Sequence, residues 1–105
     1  MATTVGELVG REITGVAFRR DGVEFHFSGA IVRSIAAPSV TIGESTYRFP
    51  KAGSRDALCL VIGSSVESQS LVAGQHFEFT TASGVCVRIP LEPGWEDAGL
   101  FGRLV

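Results

Sequence analysis

Apolar and polar side chains alternate along two stretches of the chain, and the alternation predicts half-buried β-strands. In the first stretch Val23, Phe25 and Phe27 alternate with Glu24 and His26. Successive side chains of a strand point to opposite faces, so the apolar residues should face a core and the polar pair should face outward. The pattern returns in a second stretch, with Phe77 and Phe79 inward and His76 and Glu78 outward.

Glycine-containing pairs, which favour tight turns, separate these strands from neighbours of the same character. The pairs are Asp21-Gly22, Ser28-Gly29, Ala73-Gly74 and Ser83-Gly84. Further strands are therefore expected over residues 13–18, 31–35, 66–72 and 85–89. A hairpin between Pro38 and Pro50 is expected to pair residues 39–42 with residues 46–49.

Each half of the chain also begins with signals for a short helix. Thr4 with Glu7 three residues later forms a capping box, and Gly10 can end that helix. In the second half Ser54 is the expected N-cap, and Gly63 ends a helix over residues 57–62. The short apolar run at residues 58–62 is also compatible with a buried strand, because it has no period that would distinguish the two.

These elements recur in the same order, which predicts two αβββ-like repeats at about residues 5–35 and 55–89. A single three-stranded unit cannot cover its own apolar face, so the two repeats should pack on each other. The predicted fold class is α+β, predominantly antiparallel β, in which the repeats form a barrel or sandwich with two short helices. A length of 105 residues leaves room for a single domain, residues 1–105, with a hairpin insert at 39–50 and a C-terminal segment at 91–105.

The phenylalanine and glycine positions of the repeat, together with the end of the chain, resemble those of an uncharacterised family of small bacterial two-repeat domains of unknown function. The family shows a twice-repeated pattern of a phenylalanine followed by a turn glycine, and then an aromatic-Glu segment and a last glycine. Here Phe27 precedes Gly29, Phe79 precedes Gly84, and the ending reads Trp95-Glu96 followed by Gly102. The family pattern has Phe-x-x-Gly and aromatic-Glu-x-aromatic. Here Gly29 stands two residues after Phe27, Gly84 stands five after Phe79, and Ala98 takes the place of the second aromatic, so this chain departs from the pattern at all three points. The resemblance implies a bacterial source and a cytoplasmic location, and it implies no catalytic residues.

Composition and charge exclude several classes of function. The net charge is −2, and the sequence lacks the clustered positive charge that nucleic-acid binding needs, so no nucleic-acid partner is expected. No apolar run is long enough to span a bilayer and nothing resembles a secretory signal, so we expect no membrane and a cytoplasmic location. Cys59 and Cys86 lie in apolar segments without metal-ligand spacing, and both are interpreted as reduced.

The sharpest chemical hypothesis concerns the outward residues of the two alternating strands. Two histidines and two carboxylates are a ligand set suited to Zn²⁺ or another divalent metal. If the two strands met, Glu24, His26, His76 and Glu78 could form such a site. The simpler interpretation is four polar residues on solvated strand faces, and it receives most of the weight, so no cofactor is predicted.

No catalytic motif is present, so the first functional hypothesis is a non-enzymatic domain for protein interaction or self-association, such as a homodimer. Trp95, Leu100 and Phe101 are the candidate interface residues, because the end of the chain is too apolar to be free. Trp95 is expected to anchor this segment over an edge of its own sheet or against a second subunit. The alternative is a small-ligand or metal-binding domain, or a weak hydrolase, that uses the four outward residues.

Overall fold

The computed structural model describes residues 8–20, 22–34, 36–72 and 75–90, and the backbone of residues 100–104. Within them the chain forms nine strands and one short helix. The elements are β1 (Ile13–Arg19), β2 (Gly22–Phe27), β3 (Ala30–Ser34), β4 (Ser39–Ile42), β5 (Ser45–Arg48), α1 (Ser54–Cys59), β6 (Val66–Val72), β7 (His76–Thr81), β8 (Val85–Pro90) and β9 (Leu100–Leu104). The predicted turn residues Asp21, Ala73 and Gly74 lie outside the described residues, as do Thr4 and Glu7 of the first capping box.

The strands form two antiparallel sheets. One sheet has four strands in the order β1-β2-β3-β9, and the other has five in the order β5-β4-β8-β7-β6. Every strand pairing is antiparallel, as the alternating pattern predicts. The described strands do not close either sheet on itself, so they do not form the barrel that is one of the two predicted arrangements.

Side chains from both sheets fill one hydrophobic core. Phe25, Phe27, Phe77 and Phe79 are all buried, as the alternation predicts. The rings of Phe25 and Phe79 meet edge to face across the core with centroids 5.6 Å apart. Glu24 and Glu78 directly precede these two phenylalanines in strands whose side chains alternate, so the two carboxylates lie on the outer faces of different sheets.

The two sheets are joined by a short antiparallel contact between Glu12 and Ser65. Backbone hydrogen bonds on its two sides come in matching pairs. One pair runs from Gly10 N–H to the Val66 carbonyl and from Gly63 N–H to the Ile13 carbonyl. A second pair runs from Ile13 N–H to the Ser64 carbonyl and from Val66 N–H to the Arg11 carbonyl. In each pair, the donor of one bond and the donor of the other are 53 residues apart in the chain, and so are the two acceptors.

The hairpins β1-β2 and β6-β7 also share their register. Each has an irregularity near its start, between Ile13 and Gly15 in β1 and between Val66 and Ser68 in β6. Counted from there, Phe25 and Phe79 hold corresponding places, and each is followed on the next strand by a valine partner, Val32 or Val87. The sequence alone matches Phe25 with Phe77, because a Phe-x-Phe segment aligns equally well when it is shifted by two residues, and the register of the hairpins corrects this match to Phe79.

Two strands cross from one half of the chain to the sheet of the other half. Strand β4 follows the first three strands but pairs with β8, and β9 follows the second three but pairs with β3. Each sheet thus holds three consecutive strands of one half and one strand of the other. Strand β5 then extends the second sheet through its hairpin with β4.

The helix α1 differs in detail from its prediction. Gly53, in a left-handed conformation with φ of 84°, holds the N-cap position and makes no side-chain cap. The Ser54 hydroxyl donates instead to the Lys51 carbonyl at 2.6 Å. The helix ends at Cys59, and turns continue to Gly63. The described residues form one short helix, the first predicted helix lies mostly outside them, and no described helix is long and apolar enough to cross a membrane.

Candidate functional site

A carboxylate surrounded by three basic side chains lies on the outer face of the four-stranded sheet. Glu24 on β2 faces Arg33 on β3 directly across the strands. The Arg33 Nε and Nη2 atoms donate to Glu24 Oε2 at 3.0 and 2.7 Å, and Arg19 Nε lies 3.0 Å from the same oxygen. His26 Nε2 lies 3.2 Å from Oε1. Both oxygens are occupied, and the Glu24 side chain is 8% exposed.

These contacts hold the pKa of Glu24 below its ordinary value. The hydrogen bonds from Arg33 make the largest contribution, and those from His26 and the charge of Arg19 add to it, against the opposing effect of burial. Glu24 is therefore ionised at neutral pH. It serves as the centre of a charged cross-strand network, a structural role.

A related but looser arrangement lies on the outer face of the five-stranded sheet. Glu78 on β7 faces Arg88 on β8. Arg88 Nε and Nη2 lie 3.4 and 3.3 Å from Glu78 Oε2, and the Cys86 thiol donates to the same oxygen at 3.3 Å. Oε1 has only His76 Nε2 at 3.9 Å among the described residues. The Glu78 side chain is 26% exposed, about three times as much as that of Glu24.

The thiol in this arrangement is not activated. Burial and the hydrogen bond to the Glu78 carboxylate raise the pKa of Cys86, because both disfavour a thiolate. Burial also acts to raise the pKa of Glu78, but the Cys86 hydrogen bond and the Arg88 charge outweigh it, so the net direction is downward. The pair is a neutral thiol beside an ionised carboxylate, which is the wrong charge distribution for a cysteine nucleophile.

A surface depression of about 280 Å³ opens beside Glu78. Its other lining residues are Ser68, Gln69, Ser70, Thr80 and Cys86. Three of these carry hydroxyl groups, which can donate or accept a hydrogen bond. The Gln69 side-chain oxygen accepts a hydrogen bond from Leu8 N–H at 2.6 Å, so this side chain is fixed by the chain itself. The depression is thus a polar recess that is lined in part by the Glu78 carboxylate.

The structure does not bring the four candidate metal ligands together. Glu24 contacts His26, and Glu78 lies near His76, but the two pairs occupy the outer faces of different sheets. The aromatic core lies between those faces. Among the described residues no group of three or more His, Cys, Asp or Glu side chains is placed to hold a metal ion.

The candidate interface residues are located only in part. Trp95 lies outside the described residues. Leu100 and Phe101 belong to β9, where the backbone pairs them with Ser34 and Arg33 of β3. The end of the chain is therefore docked on an edge of its own sheet, one of the two placements that the sequence predicts.

The sequence predicts two of these three arginine contacts and not the third. Arg33 and Arg88 hold matching places in the two halves of the chain, which predicts a carboxylate partner for each near a strand end, and both have one. Arg19 stands just before the predicted turn at Asp21-Gly22, which predicts a solvated side chain, yet it contacts Glu24. The usable signal is its position on β1, because Arg19 lies two residues beyond Ala17, the direct cross-strand partner of Glu24.

No protein-family model, curated protein or solved structure matches the chain. The resemblance to small bacterial two-repeat domains therefore rests on the quoted residues alone.

Replacing Glu24 by glutamine is expected to lower the free energy of unfolding by about 1–2 kcal/mol at neutral pH, because charge-assisted hydrogen bonds are lost while half-exposed arginines stay hydrated. The folded pKa of Glu24 lies below its ordinary value of 4.5, so its contribution is present above that value. The contribution disappears as the pH falls through the folded pKa. Urea unfolding across the acid range should therefore show the two proteins converging.

The control is Glu44→Gln, which removes the same charge from an exposed position in the β4-β5 turn. It should leave the unfolding free energy within about 0.5 kcal/mol of the parent value. A constant difference between the Glu24 variant and the parent at all pH values would contradict the ion-pair interpretation.

Proposed function

We propose that the chain is a non-enzymatic domain that acts by protein interaction, in the form of self-association through the end of β6. The observation that carries this proposal is the exposure of Leu71. Leu71 pairs with the buried Phe77, on the side of β6 that faces the core, yet it is 51% exposed. Val72, the next residue, is also exposed.

The corresponding place in the first hairpin is covered by the chain itself. Phe18 pairs with the buried Val23, as Leu71 pairs with Phe77. Its ring stacks on Phe49 with centroids 5.7 Å apart and an interplanar angle of 11°. The Arg55 guanidinium lies 5.7 Å from the Phe18 centroid and 5.1 Å from that of Phe49. Leu71 thus lies uncovered at a position whose counterpart in the first hairpin, Phe18, is covered by the Phe49 ring.

Charge complementarity favours a second copy of the chain as the occupant. Residues 1–55 carry seven basic and five acidic side chains, whereas residues 56–105 carry two and six. Exposed basic residues of the first half, Arg48 and Lys51, flank the segment that carries Phe49. An acidic half of one copy against a basic half of another places unlike charges together. The raised pKa of the Cys86 thiol supports the non-enzymatic assignment.

We also propose that the fold is an internal duplication with αβββ-like repeats at about residues 5–35 and 55–89, packed as a sandwich. The support is the set of paired backbone hydrogen bonds around Glu12 and Ser65 and the shared register of the two hairpins. The crossing of β4 and β9 to opposite sheets adds a third correspondence. A cytoplasmic location belongs to the same proposal, and the free thiols of Cys59 and Cys86 support it.

Sedimentation velocity over a range of concentrations tests the interaction surface. We expect the parent protein to self-associate and Leu71→Thr to weaken that association at least about tenfold, since burying one leucine contributes about 1.5–3 kcal/mol. Threonine keeps the β-propensity of the strand. Leu60→Thr is the control, because Leu60 is 59% exposed and follows α1, outside β6. A parent protein that stays monomeric, or an equal effect of both substitutions, would contradict the proposal.

A further inference from the structure

The chain contains two outer-face carboxylates, each of which faces an arginine on the next strand, but the other residues around them differ. Glu24 faces Arg33 and Glu78 faces Arg88. Around Glu24, two further side chains complete the set of contacts, namely Arg19 on the neighbouring strand and His26 two residues along. The side chain is closed off from solvent as a result.

The positions of those two extra donors are filled by other residues at Glu78. Arg19 lies two residues beyond Ala17, the partner of Glu24 on β1, and the equivalent place beyond Ser70, the partner of Glu78 on β6, is Val72. Thr80 follows Glu78 by two residues, as His26 follows Glu24. Neither Val72 nor Thr80 contacts the carboxylate as Arg19 and His26 do at Glu24, so Glu78 Oε1 has only the His76 ring near it, at 3.9 Å, among the described residues. Glu78 also lines the polar depression.

We propose that the depression beside Glu78 binds the guanidinium group of an arginine side chain presented by another protein molecule. Glu24 already contacts the Arg33 guanidinium, and Arg19 lies 3.0 Å from the same carboxylate. A carboxylate on the outer face of a sheet in this fold can therefore accept a second guanidinium. At Glu78 the second guanidinium comes from outside the chain. Glu78 Oε1 is the acceptor, and it has no hydrogen bond from the described residues.

The lining of the depression fits a guanidinium better than a metal ion. A guanidinium carries five N–H donors in a planar fork, and the hydroxyl oxygens of Ser68, Ser70 and Thr80 can accept those that Glu78 does not. A divalent metal would need further carboxylate or histidine ligands, and the described residues around Glu78 form no such group. Val72 at the end of β6 offers an apolar surface to the methylene stem of the arginine.

This site deepens the proposed function and rests on it only for the source of the arginine, which is a second copy of this chain. Free arginine peptides test the site without that assumption. The probe is N-acetyl-arginine methylamide, titrated into the full chain and followed by backbone amide chemical shifts. Its neutral citrulline analogue, of nearly the same shape, is the matched control ligand.

We expect saturable shifts at Ser70, Glu78 and Thr80 with the arginine probe and none with the citrulline probe. Glu78→Gln should weaken binding about tenfold, the change expected when a charge-assisted hydrogen bond is lost. Val72→Arg should abolish binding, because it supplies the guanidinium that Arg19 supplies at Glu24. Glu67→Gln, which removes an equal charge from an exposed residue of β6, the strand next to that of Glu78, should bind the probe as the parent does. Thermal unfolding checks that each variant is folded.

Failure of the site and failure of self-association are distinguishable. Binding of the arginine probe that survives in folded Val72→Arg, or that equals binding of the citrulline probe, would overturn the site. Sedimentation of Val72→Arg then identifies the source of the arginine. Loss of self-association supports a second copy, and unchanged self-association with loss of probe binding supports the site with a different protein partner. If Leu71→Thr does not weaken self-association, the proposed function is overturned and the arginine site is not.

Discussion

Replacing Phe79 by alanine is expected to lower the free energy of unfolding by about 3–5 kcal/mol, the range for large aromatic truncations in a closed core. Phe79 is fully buried and contacts three other rings. Its centroid lies 5.6 Å from that of Phe25, 5.5 Å from that of Phe27 and 6.4 Å from that of Phe77. Two of these rings belong to the opposite sheet, so the cavity would open where the sheets meet.

Chemical denaturation monitored by circular dichroism measures this loss. The control is Phe49→Ala, because Phe49 is only half-buried at the edge of the core and should cost less. A domain of this size has a total stability of about 5–15 kcal/mol, so the Phe79 variant should unfold at much lower denaturant concentration and can be partly unfolded without it. A loss below about 1 kcal/mol would mean that Phe79 does not join the sheets.

The strand positions were predictable because the alternation in this chain is strong. Val23, Phe25 and Phe27 are all buried, and the outward His26 is half-exposed. Turn glycines fixed the ends of the strands to within one or two residues. The helix boundary was less predictable, since Ser54 carries the usual signal for an N-cap but its hydroxyl is used by the preceding turn.

The order of the strands in the sheets was not predictable from the pattern. Alternation fixes the face on which a residue lies, and it carries no information about which strand is the neighbour. The pairing of β4 with β8 and of β9 with β3 depends on contacts between residues more than 40 positions apart in the chain. Such contacts follow from the packing of the whole core.

The difference between neighbouring and distant strands also decides which contacts of the candidate sites could be predicted. Glu24 with Arg33 and Glu78 with Arg88 lie on consecutive strands of a hairpin, where a short turn sets the register. The four-ligand hypothesis required β2 and β7 to meet, and they lie in different sheets. The depression beside Glu78 combines residues of three strands, so its shape was visible only in the fold.

Deleting residues 94–105 is expected to lower the melting temperature by about 10 °C or more. For a domain of this length each kcal/mol corresponds to roughly 4–8 °C, and the deletion removes the whole of β9. Its five backbone pairings with β3 would be lost, and a strand that carries the buried Ala30 and Val32 would become a sheet edge. An exposed edge of that kind also favours aggregation.

Differential scanning calorimetry and size-exclusion chromatography together separate the two roles considered for this segment. A lower melting temperature at an unchanged elution volume assigns it to the chain's own sheet, and a shift from dimer to monomer adds a role between subunits. Trp95→Ala should reproduce much of the effect if Trp95 anchors the segment. Removal of Val105 alone, which follows the end of β9, is the control and should change neither property. An unchanged melting temperature and elution volume after the full deletion would show that β9 contributes nothing to the fold, because a strand that stabilises β3 cannot be removed without a measurable loss.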